Sequence, residues 1–320
     1  MGAKGRSVSL VLGSGGARGL AHIGVIRWLE EHGFRIRSIA GSSMGALVGG
    51  IHAAGKLDVY ADWVSQLERV DVLRLLDLSL SRHSLFKGER IIAKLRELVG
   101  EHDIESLPMR FTAVATDIER QREVWLDQGS LFDAIRASIA VPMVFAPVRR
   151  NGRLLVDGGL VNPMPVAPVL NTDSDFIIAV NLSGHATGGE RRLPEAREAR
   201  GGDRQGRALA AKGIVGAGPG EMAERVRSFL ASLWPGEDED SGDKDPDLVM
   251  LMSRSLDCMQ TQIARLRLAT HSLDAVVEIP RDTCSFFEFY RAAELIDFGH
   301  AQAGRQLAKI VRTRAGRAGE

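Results

Sequence analysis

The amino-terminal part of the chain contains the same pattern two times: an apolar strand, a glycine-rich turn and an apolar helix. Residues 7–12 alternate and are rich in aliphatic side chains, which predicts a strand, and apolar spacing predicts a helix over 20–32. A second strand at 36–40 leads through a glycine turn into a small-residue helix at 46–54. Such units place their strands in parallel with helices on both faces. We therefore predict an α/β fold, a single three-layer α/β/α domain with a mainly parallel central sheet.

Composition changes twice along the chain. The stretch 184–247 is rich in Gly, Ala, Arg and acidic residues and has few residues able to anchor a core. We predict a core over 1–183, a flexible insert at 184–247, and helices and a strand over 248–320 that complete the same domain. Within the insert, 221–234 would form an apolar-faced helix, either packed on the domain or acting as a lid or lipid-surface helix. Apolar spacing also predicts one helix near 59–70.

Charge and cysteine content exclude several kinds of function. Lys plus Arg and Asp plus Glu both number 41, so nothing favours nucleic acid as a partner. The two cysteines, Cys258 and Cys284, indicate neither a disulfide framework nor a metal site, which favours a reducing compartment. No apolar run is long enough to span a membrane. We expect a cytoplasmic protein, and contact with a membrane surface stays open, as does the oligomeric state.

A serine stands in the turn between the second strand and its helix. Residues 41–45 read Gly-Ser-Ser-Met-Gly and fit the pattern G-x-S-x-G. Glycines at both ends remove side chains that would clash in a tight turn, so Ser43 is expected to be exposed at the elbow. The adjacent helix N-terminus would favour developing negative charge. In a plain strand–helix turn without catalysis, Ser42 would be as good a candidate as Ser43.

The earlier turn is a dense glycine loop, with residues 13–19 reading Gly-Ser-Gly-Gly-Ala-Arg-Gly. Its backbone N–H groups could hold an anion, either a phosphate or the oxyanion of an acyl-transfer intermediate. A dinucleotide-binding loop needs glycine where Arg18 stands, and no Gly-Lys-Ser/Thr ending is present, so both nucleotide motifs fail. Arg18 would either steady the loop or face a substrate phosphate, and a structural ion pair is the alternative.

An aspartate follows a short predicted strand at 153–156 and is itself followed by two glycines. The glycines after Asp157 let the backbone turn tightly and leave the carboxylate uncovered. An Asp-Gly turn is commonplace, so this motif gains weight only in company with the two glycine turns before it. No cluster of histidine, cysteine and carboxylate residues has metal-ligand spacing.

Together, the three motifs resemble the patatin-like phospholipases, and most of all their compact bacterial members. The resemblance runs roughly from 7 to 182 and includes Leu-Ala-His-Ile-Gly-Val after the glycine loop, with a less specific likeness over 287–299. It implies a patatin-like fold and a Ser–Asp dyad without metal or cofactor. Ser14 departs from the family, since many members carry glycine there, and this serine could reshape the loop.

The resemblance also implies roles for individual residues. Ser43 would attack the ester carbonyl and Asp157 would take its proton, with the oxyanion held by the N–H groups of Gly15, Gly16 and Met44. The expected activity is hydrolysis of lipid esters, either phospholipids or lysophospholipids. Two alternatives stay open: a catalytically silent regulator that binds lipid or a partner, and a Ser–His–Asp esterase whose base would be one of the late histidines, His185, His271 or His300.

Overall fold

A computed structural model describes residues 6–77, 84–186 and 248–315 of the chain. The helix predicted at 221–234, and almost all of the predicted insert, lie outside the described residues. The strands of the described ranges are β1 (Arg6–Leu12), β2 (Phe34–Ser42), β3 (Ser84–Phe86), β4 (Arg110–Asp117), β5 (Arg122–Leu126), β6 (Met143–Phe145), β7 (Val148–Arg150), β8 (Arg153–Asp157), β9 (Phe176–Gly184) and β10 (Ala275–Pro280). The α-helices are α1 (Ala21–Glu31), α2 (Met44–Ala53), α3 (Leu57–Ser65), α4 (Arg69–Leu75), α5 (Glu89–Val99), α6 (Leu131–Ser138), α7 (Leu248–Thr270) and α8 (Ala292–Ala315).

One large sheet organises these elements, in the order β10-β9-β1-β2-β4-β8-β7, with β5 paired to β4. Strands β10, β9, β1, β2 and β4 are parallel to their neighbours in that series. The pairs β4–β5, β4–β8 and β7–β8 are antiparallel. The prediction of a mainly parallel central sheet flanked by helices is therefore confirmed.

Both faces of the sheet are buried, as the apolar character of its central strands requires. In β1, Leu10 and Leu12 belong to an apolar cluster shared with α1, α2 and α8, whereas Val11 between them belongs to a second cluster. Ala264 of α7 and apolar residues of 164–169 pack into that second cluster. Because successive side chains of a strand point to opposite faces, the two clusters lie on opposite sides of the sheet.

Helices α1 and α8 cross at a point where glycine is required on both. A Cβ on Gly24 would lie 1.9 Å from the carbonyl oxygen of Ile296, and a Cβ on Gly299 would lie 2.1 Å from the carbonyl oxygen of Ala21. No side chain fits into such gaps without moving a backbone. The two glycines therefore let the carboxyl-terminal helix lie directly against the first helix.

The pairing of the strands brings the three sequence motifs together. The glycine loop follows β1 and the serine turn follows β2, and these neighbouring parallel strands end at the same edge of the sheet. Across the next strand, Ser42 pairs with Val114 and Asp157 pairs with Ala115. Ser42, which directly precedes Ser43, and Asp157 therefore flank adjacent positions of β4.

Candidate active site

Ser43 occupies the turn between β2 and α2 in a backbone conformation that residues other than glycine rarely adopt. Its φ is 54° and its ψ is −122°. A Cβ on Gly41 would lie 2.3 Å from the carbonyl oxygen of Gly45, and a Cβ on Gly45 would lie 2.1 Å from that of Leu12. The turn therefore has the tight shape that the G-x-S-x-G pattern predicts, with glycine required at both ends.

The Ser43 hydroxyl contacts a carboxylate from a distant part of the chain. Its Oγ donates a 2.6 Å hydrogen bond to Oδ2 of Asp157, 114 residues away in sequence. Ser43 is 5% exposed and Asp157 is 1% exposed, so the predictions of an exposed serine and an uncovered carboxylate were wrong. The other oxygen of Asp157, Oδ1, accepts a hydrogen bond from the N–H of Gly159 at 2.7 Å. The carboxylate is thus held through both oxygens, one of them by the serine.

Burial makes Asp157 a stronger base than an exposed aspartate. Desolvation disfavours the charged carboxylate and raises the pKa of Asp157 from 3.8 to about 6. The hydrogen bonds from Ser43 and from the Gly159 N–H favour the charged form and lower the pKa, but by less than burial raises it. At neutral pH the group is then mostly ionised and still basic enough to assist removal of a hydroxyl proton.

Two hydroxyl side chains that the sequence analysis missed hold the backbone around this pair. Ser138, at the end of α6, accepts a hydrogen bond from the Ser43 N–H at 2.9 Å and donates to the carbonyl oxygen of Val114 at 2.6 Å. Thr116 of β4 donates to the carbonyl oxygen of Asp157 at 2.8 Å. Neither residue stands in a motif, so only the pairing of β4 with its neighbours shows their role.

The glycine loop reaches the same cavity as Ser43. Within the described part of the chain, the N–H groups of Gly15, Gly16 and Met44 have no hydrogen-bond acceptor. Gly16, Met44 and Ser43 line one cavity. Gly15 is not part of that lining and packs against Leu182, where a Cβ would lie 2.7 Å away. The structure thus places two of the three predicted oxyanion donors beside the serine.

The cavity that opens at Ser43 is walled almost entirely by carbon. Its lining comes from α2, α3, α4, α5, the stretch 139–145 and the three phenylalanines of 286–289. Representative wall residues are Leu47, Trp63, Leu76, Ile139, Phe145 and Phe287. Such a wall offers a hydrocarbon chain an apolar environment and offers few partners to a polar ligand.

Neither a metal centre nor a membrane-spanning helix is found among residues 6–77, 84–186 and 248–315. In these ranges no three His, Cys, Asp or Glu residues are grouped so as to hold a metal ion. The helices of the same ranges lack the combination of length and apolar character that crossing a bilayer requires. Cys258 is exposed and Cys284 is buried, and both are free thiols.

Comparison with known proteins settles the family. Residues 10–170, which contain the serine turn, the glycine loop and Asp157, match the profile described as patatin-like phospholipase. The chain belongs to the patatin-like phospholipase family. It is therefore a lipid-ester hydrolase, and the family resemblance read from its three motifs is confirmed.

The relatives include both full-length and partial matches. An uncharacterized NTE family protein of Mycobacterium tuberculosis (strain ATCC 25618 / H37Rv) is 41% identical over 327 residues, which cover 94% of this chain and 91% of that protein. Lysophospholipase nte1 of Emericella nidulans is 32% identical over 186 residues, covering 56% of this chain and 12% of that much longer protein. Among solved structures, VipD from Legionella pneumophila is 15% identical with a TM-score of 0.45, covering 96% of this chain and 67% of that one.

Arg18 of this patatin-like chain contacts protein groups with all three guanidinium nitrogens. Its Nε donates to the carbonyl oxygen of Gly15 at 3.2 Å, and its Nη1 donates to that of Arg281 at 2.7 Å. Its Nη2 forms a 2.6 Å ion pair with Asp257 of α7. These contacts favour the interpretation that Arg18 steadies the glycine loop over the one in which it faces a substrate phosphate.

The residues of the competing interpretations lie elsewhere. Ser42 is fully buried, and its Oγ has no hydrogen-bond partner among the described residues. His271 contacts the carbonyl oxygen of Arg267 at 2.8 Å, and His300 contacts Glu31 at 2.7 Å. His185 is exposed beyond the end of β9. The hydrogen bond from the Ser43 hydroxyl goes to Asp157, so the geometry favours a serine–aspartate pair.

Proposed function

We propose that this patatin-like protein hydrolyses lipid esters with Ser43 as the nucleophile and Asp157 as its base. The observation that carries the proposal is the 2.6 Å hydrogen bond between these two buried side chains, of which Ser43 lines an apolar cavity. Burial raises the free energy of a charged carboxylate, so a carboxylate buried against a serine with a strained backbone costs stability. Groups buried at such a cost are often functional. A site under such strain is typical of a functional centre.

In the first half-reaction, Ser43 Oγ attacks the ester carbonyl carbon while its proton passes to Oδ2 of Asp157. The carbonyl oxygen becomes an oxyanion, which the N–H groups of Gly16 and Met44 would stabilise, with Gly15 as a third donor if the loop shifts. When the tetrahedral intermediate collapses, the carbon–oxygen bond to the alcohol breaks. The leaving alcohol takes the proton from Asp157, and the acyl group stays on Ser43.

In the second half-reaction, water replaces the alcohol. Asp157 takes a proton from the water while the water oxygen attacks the acyl carbon. The same N–H groups hold the second oxyanion. Collapse of this intermediate returns the proton to Ser43 Oγ and releases the fatty acid. The resting hydrogen bond between the two side chains is then restored.

The substrates we propose are phospholipids or lysophospholipids. The apolar wall around Ser43 supports an acyl chain as the bound group, and a relative that carries the name lysophospholipase supports this class. Because such substrates reside in membranes, we also propose that the protein contacts a membrane surface.

A fluorophosphonate probe tests the nucleophile directly. We expect covalent labelling of the native chain, loss of labelling in Ser43→Ala, and normal labelling in the matched control Ser42→Ala. Asp157→Asn keeps the shape but loses the base, so turnover of a p-nitrophenyl ester should fall by about 100- to 10,000-fold. Equal labelling of Ser43→Ala and the native chain would refute the assignment.

The Ser–His–Asp esterase and the catalytically silent regulator each predict results in the same assay that differ from ours. A Ser–His–Asp esterase would lose turnover in His271→Ala, His300→Ala or His185→Ala, whereas we expect all three to keep it. A silent regulator would show neither labelling nor turnover of any ester, yet would still bind lipid vesicles.

The apolar cavity can be tested with acyl chains of different length. Leu76→Arg places a charge in the cavity wall, so KM for a long-chain p-nitrophenyl ester should rise at least about tenfold while that for the acetate changes little. Leu170→Arg is the matched control, because Leu170 is 41% exposed and outside the cavity lining. Equal effects of the two variants on both esters would argue against an acyl site here.

A further inference from the structure

Two side chains of α7 reach across to the glycine loop. Asp257 accepts the ion-paired hydrogen bond from Arg18 at 2.6 Å, and Gln260 Oε1 accepts a hydrogen bond from the Ser14 hydroxyl at 3.2 Å. The two residues are three positions apart, so they project from the same face of the helix. This face of α7 therefore contacts the loop at two points.

The second contact lies close to the carboxylate of Asp157. A Cβ on Gly159 would lie 2.8 Å from Gln260 Nε2, 2.8 Å from Ser14 Oγ and 2.9 Å from Asp157 Oδ1. The amide, the hydroxyl and the carboxylate thus converge on one glycine, whose N–H donates to Asp157. Gln260 consequently touches the turn that carries the base as well as the loop that carries the oxyanion donors.

The first contact bears on the direction of a backbone N–H. Arg18, held by Asp257, donates to the carbonyl oxygen of Gly15. That carbonyl and the N–H of Gly16 belong to one planar peptide unit and point in opposite directions. Fixing the carbonyl therefore fixes the direction of the Gly16 N–H, and Gly16 is one of the residues that line the cavity with Ser43.

We propose that Gln260 and Asp257 are positioning residues for the hydrolytic site. They act through Ser14 and Arg18, and they hold the glycine loop and the aspartate turn in register with the serine. The inference rests on the proposed roles of Ser43 and Asp157. It also gives the unusual Ser14 a partner, since a glycine at that position would have no hydroxyl to offer Gln260.

Gln260→Ala is the first test, with Gln262→Ala as the matched control on the exposed side of the same helix. We expect Gln260→Ala to lower kcat by about 10- to 100-fold with KM nearly unchanged, because a displaced oxyanion donor weakens transition-state binding more than substrate binding. Gln262→Ala should match the native chain in kcat and KM. Asp257→Asn should also lower kcat by weakening the hold on Arg18.

A double-mutant cycle separates positioning from general loss of stability. Ser14→Ala removes the same hydrogen bond from the other side and should lower kcat to a similar extent. This variant keeps the test possible if Gln260→Ala folds poorly. In the Ser14→Ala background, Gln260→Ala should have little further effect on kcat, because the two act through one contact. Additive effects, or a lowered melting temperature with unchanged kcat, would overturn the inference.

Failure of the parent proposal would look different. In that case the native chain would not be labelled at Ser43 by a fluorophosphonate, and no variant of α7 could alter the labelling rate. A native chain that labels normally, together with Gln260→Ala that labels and turns over like Gln262→Ala, would leave the dyad in place and remove only the role of α7.

Discussion

Asp157 combines burial with hydrogen bonding in a way that sets the working pH of the site. Its pKa is raised to about 6, mainly by desolvation, and the base must be ionised to accept the Ser43 proton. We therefore expect kcat/KM to rise as pH increases, to reach half its maximum near pH 6 and to level off above pH 7. A pH–rate profile with a p-nitrophenyl ester measures this, and a midpoint near 4 would mean that the carboxylate is solvated in the working enzyme.

Ser138 holds the backbone of the serine turn, so replacing it should lower both stability and activity. Ser138→Ala leaves the buried N–H of Ser43 and the carbonyl of Val114 without their hydroxyl partner. We expect the free energy of unfolding to fall by about 1–3 kcal/mol and kcat to fall with it. Ser42→Ala removes an equally buried hydroxyl that has no hydrogen-bond partner in the described part of the chain, so urea denaturation should show no loss for that control.

The crossing of α1 and α8 shows how two elements can depend on single glycines. In Gly24→Ala or Gly299→Ala the new methyl group would overlap a backbone atom of the other helix, so the helices must separate. We expect a loss of about 3 kcal/mol or more in the free energy of unfolding, measured by urea denaturation. Gly304→Ala on α8 is the control: the atoms nearest to its Cβ belong to the Trp28 side chain, at 3.1 Å or more, so a much smaller loss is expected.

Sequence patterns predicted the regular elements well and failed where a local signal was weak. The strands and helices up to α2 lie within two or three residues of their predicted positions, because their apolar periods are clear and glycines delimit them. The single helix predicted near 59–70 was wrong: α3 ends at Ser65 and α4 begins at Arg69, with a capping box between Glu68 and Asp71. The apolar spacing continues across that break without glycine or proline, so spacing alone could not show it.

The site was predictable only as far as its motifs carried it. The serine turn and the glycine loop have local shapes that their glycines impose. The contact between Ser43 and Asp157 depends on how distant strands pair, and only the family resemblance predicted it. Gln260 could not be predicted, because an amide in a long amphipathic helix gives no signal and its partner is 246 residues away. The boundaries at 183 and 247 stay a prediction.

For the molecule as a whole, buried histidines should govern stability in mild acid. Burial lowers the pKa of His22 and His52 from 6.5 to about 4, so the unfolded chain binds more protons than the folded one between these values. The free energy of unfolding should therefore fall as pH drops from about 6.5 to about 4. Asp157 and Glu30, whose pKa values are raised, oppose this trend, whereas Glu105 and Asp117, whose pKa values are lowered, act in the same direction as the histidines.

Urea denaturation at pH 7.5 and pH 5 measures the effect. His52→Gln should show a smaller difference in the free energy of unfolding between the two pH values than the native chain does. His185→Gln, which changes an exposed histidine, should leave the difference as it is. A native chain that is more stable at pH 5 than at pH 7.5 would contradict the expectation.

The anchoring of Arg18 by Asp257 and Arg281 also sets an order in time. A ribosome that has synthesised 247 residues has already made the serine, the aspartate and the glycine loop, but not the helix and turn that hold the loop in place. We expect a nascent chain arrested at that point to react poorly with a fluorophosphonate, and the released full-length chain to react normally. The growing polypeptide would thus be unable to attack nearby lipids until α7 and the turn that contains Arg281 have left the exit tunnel.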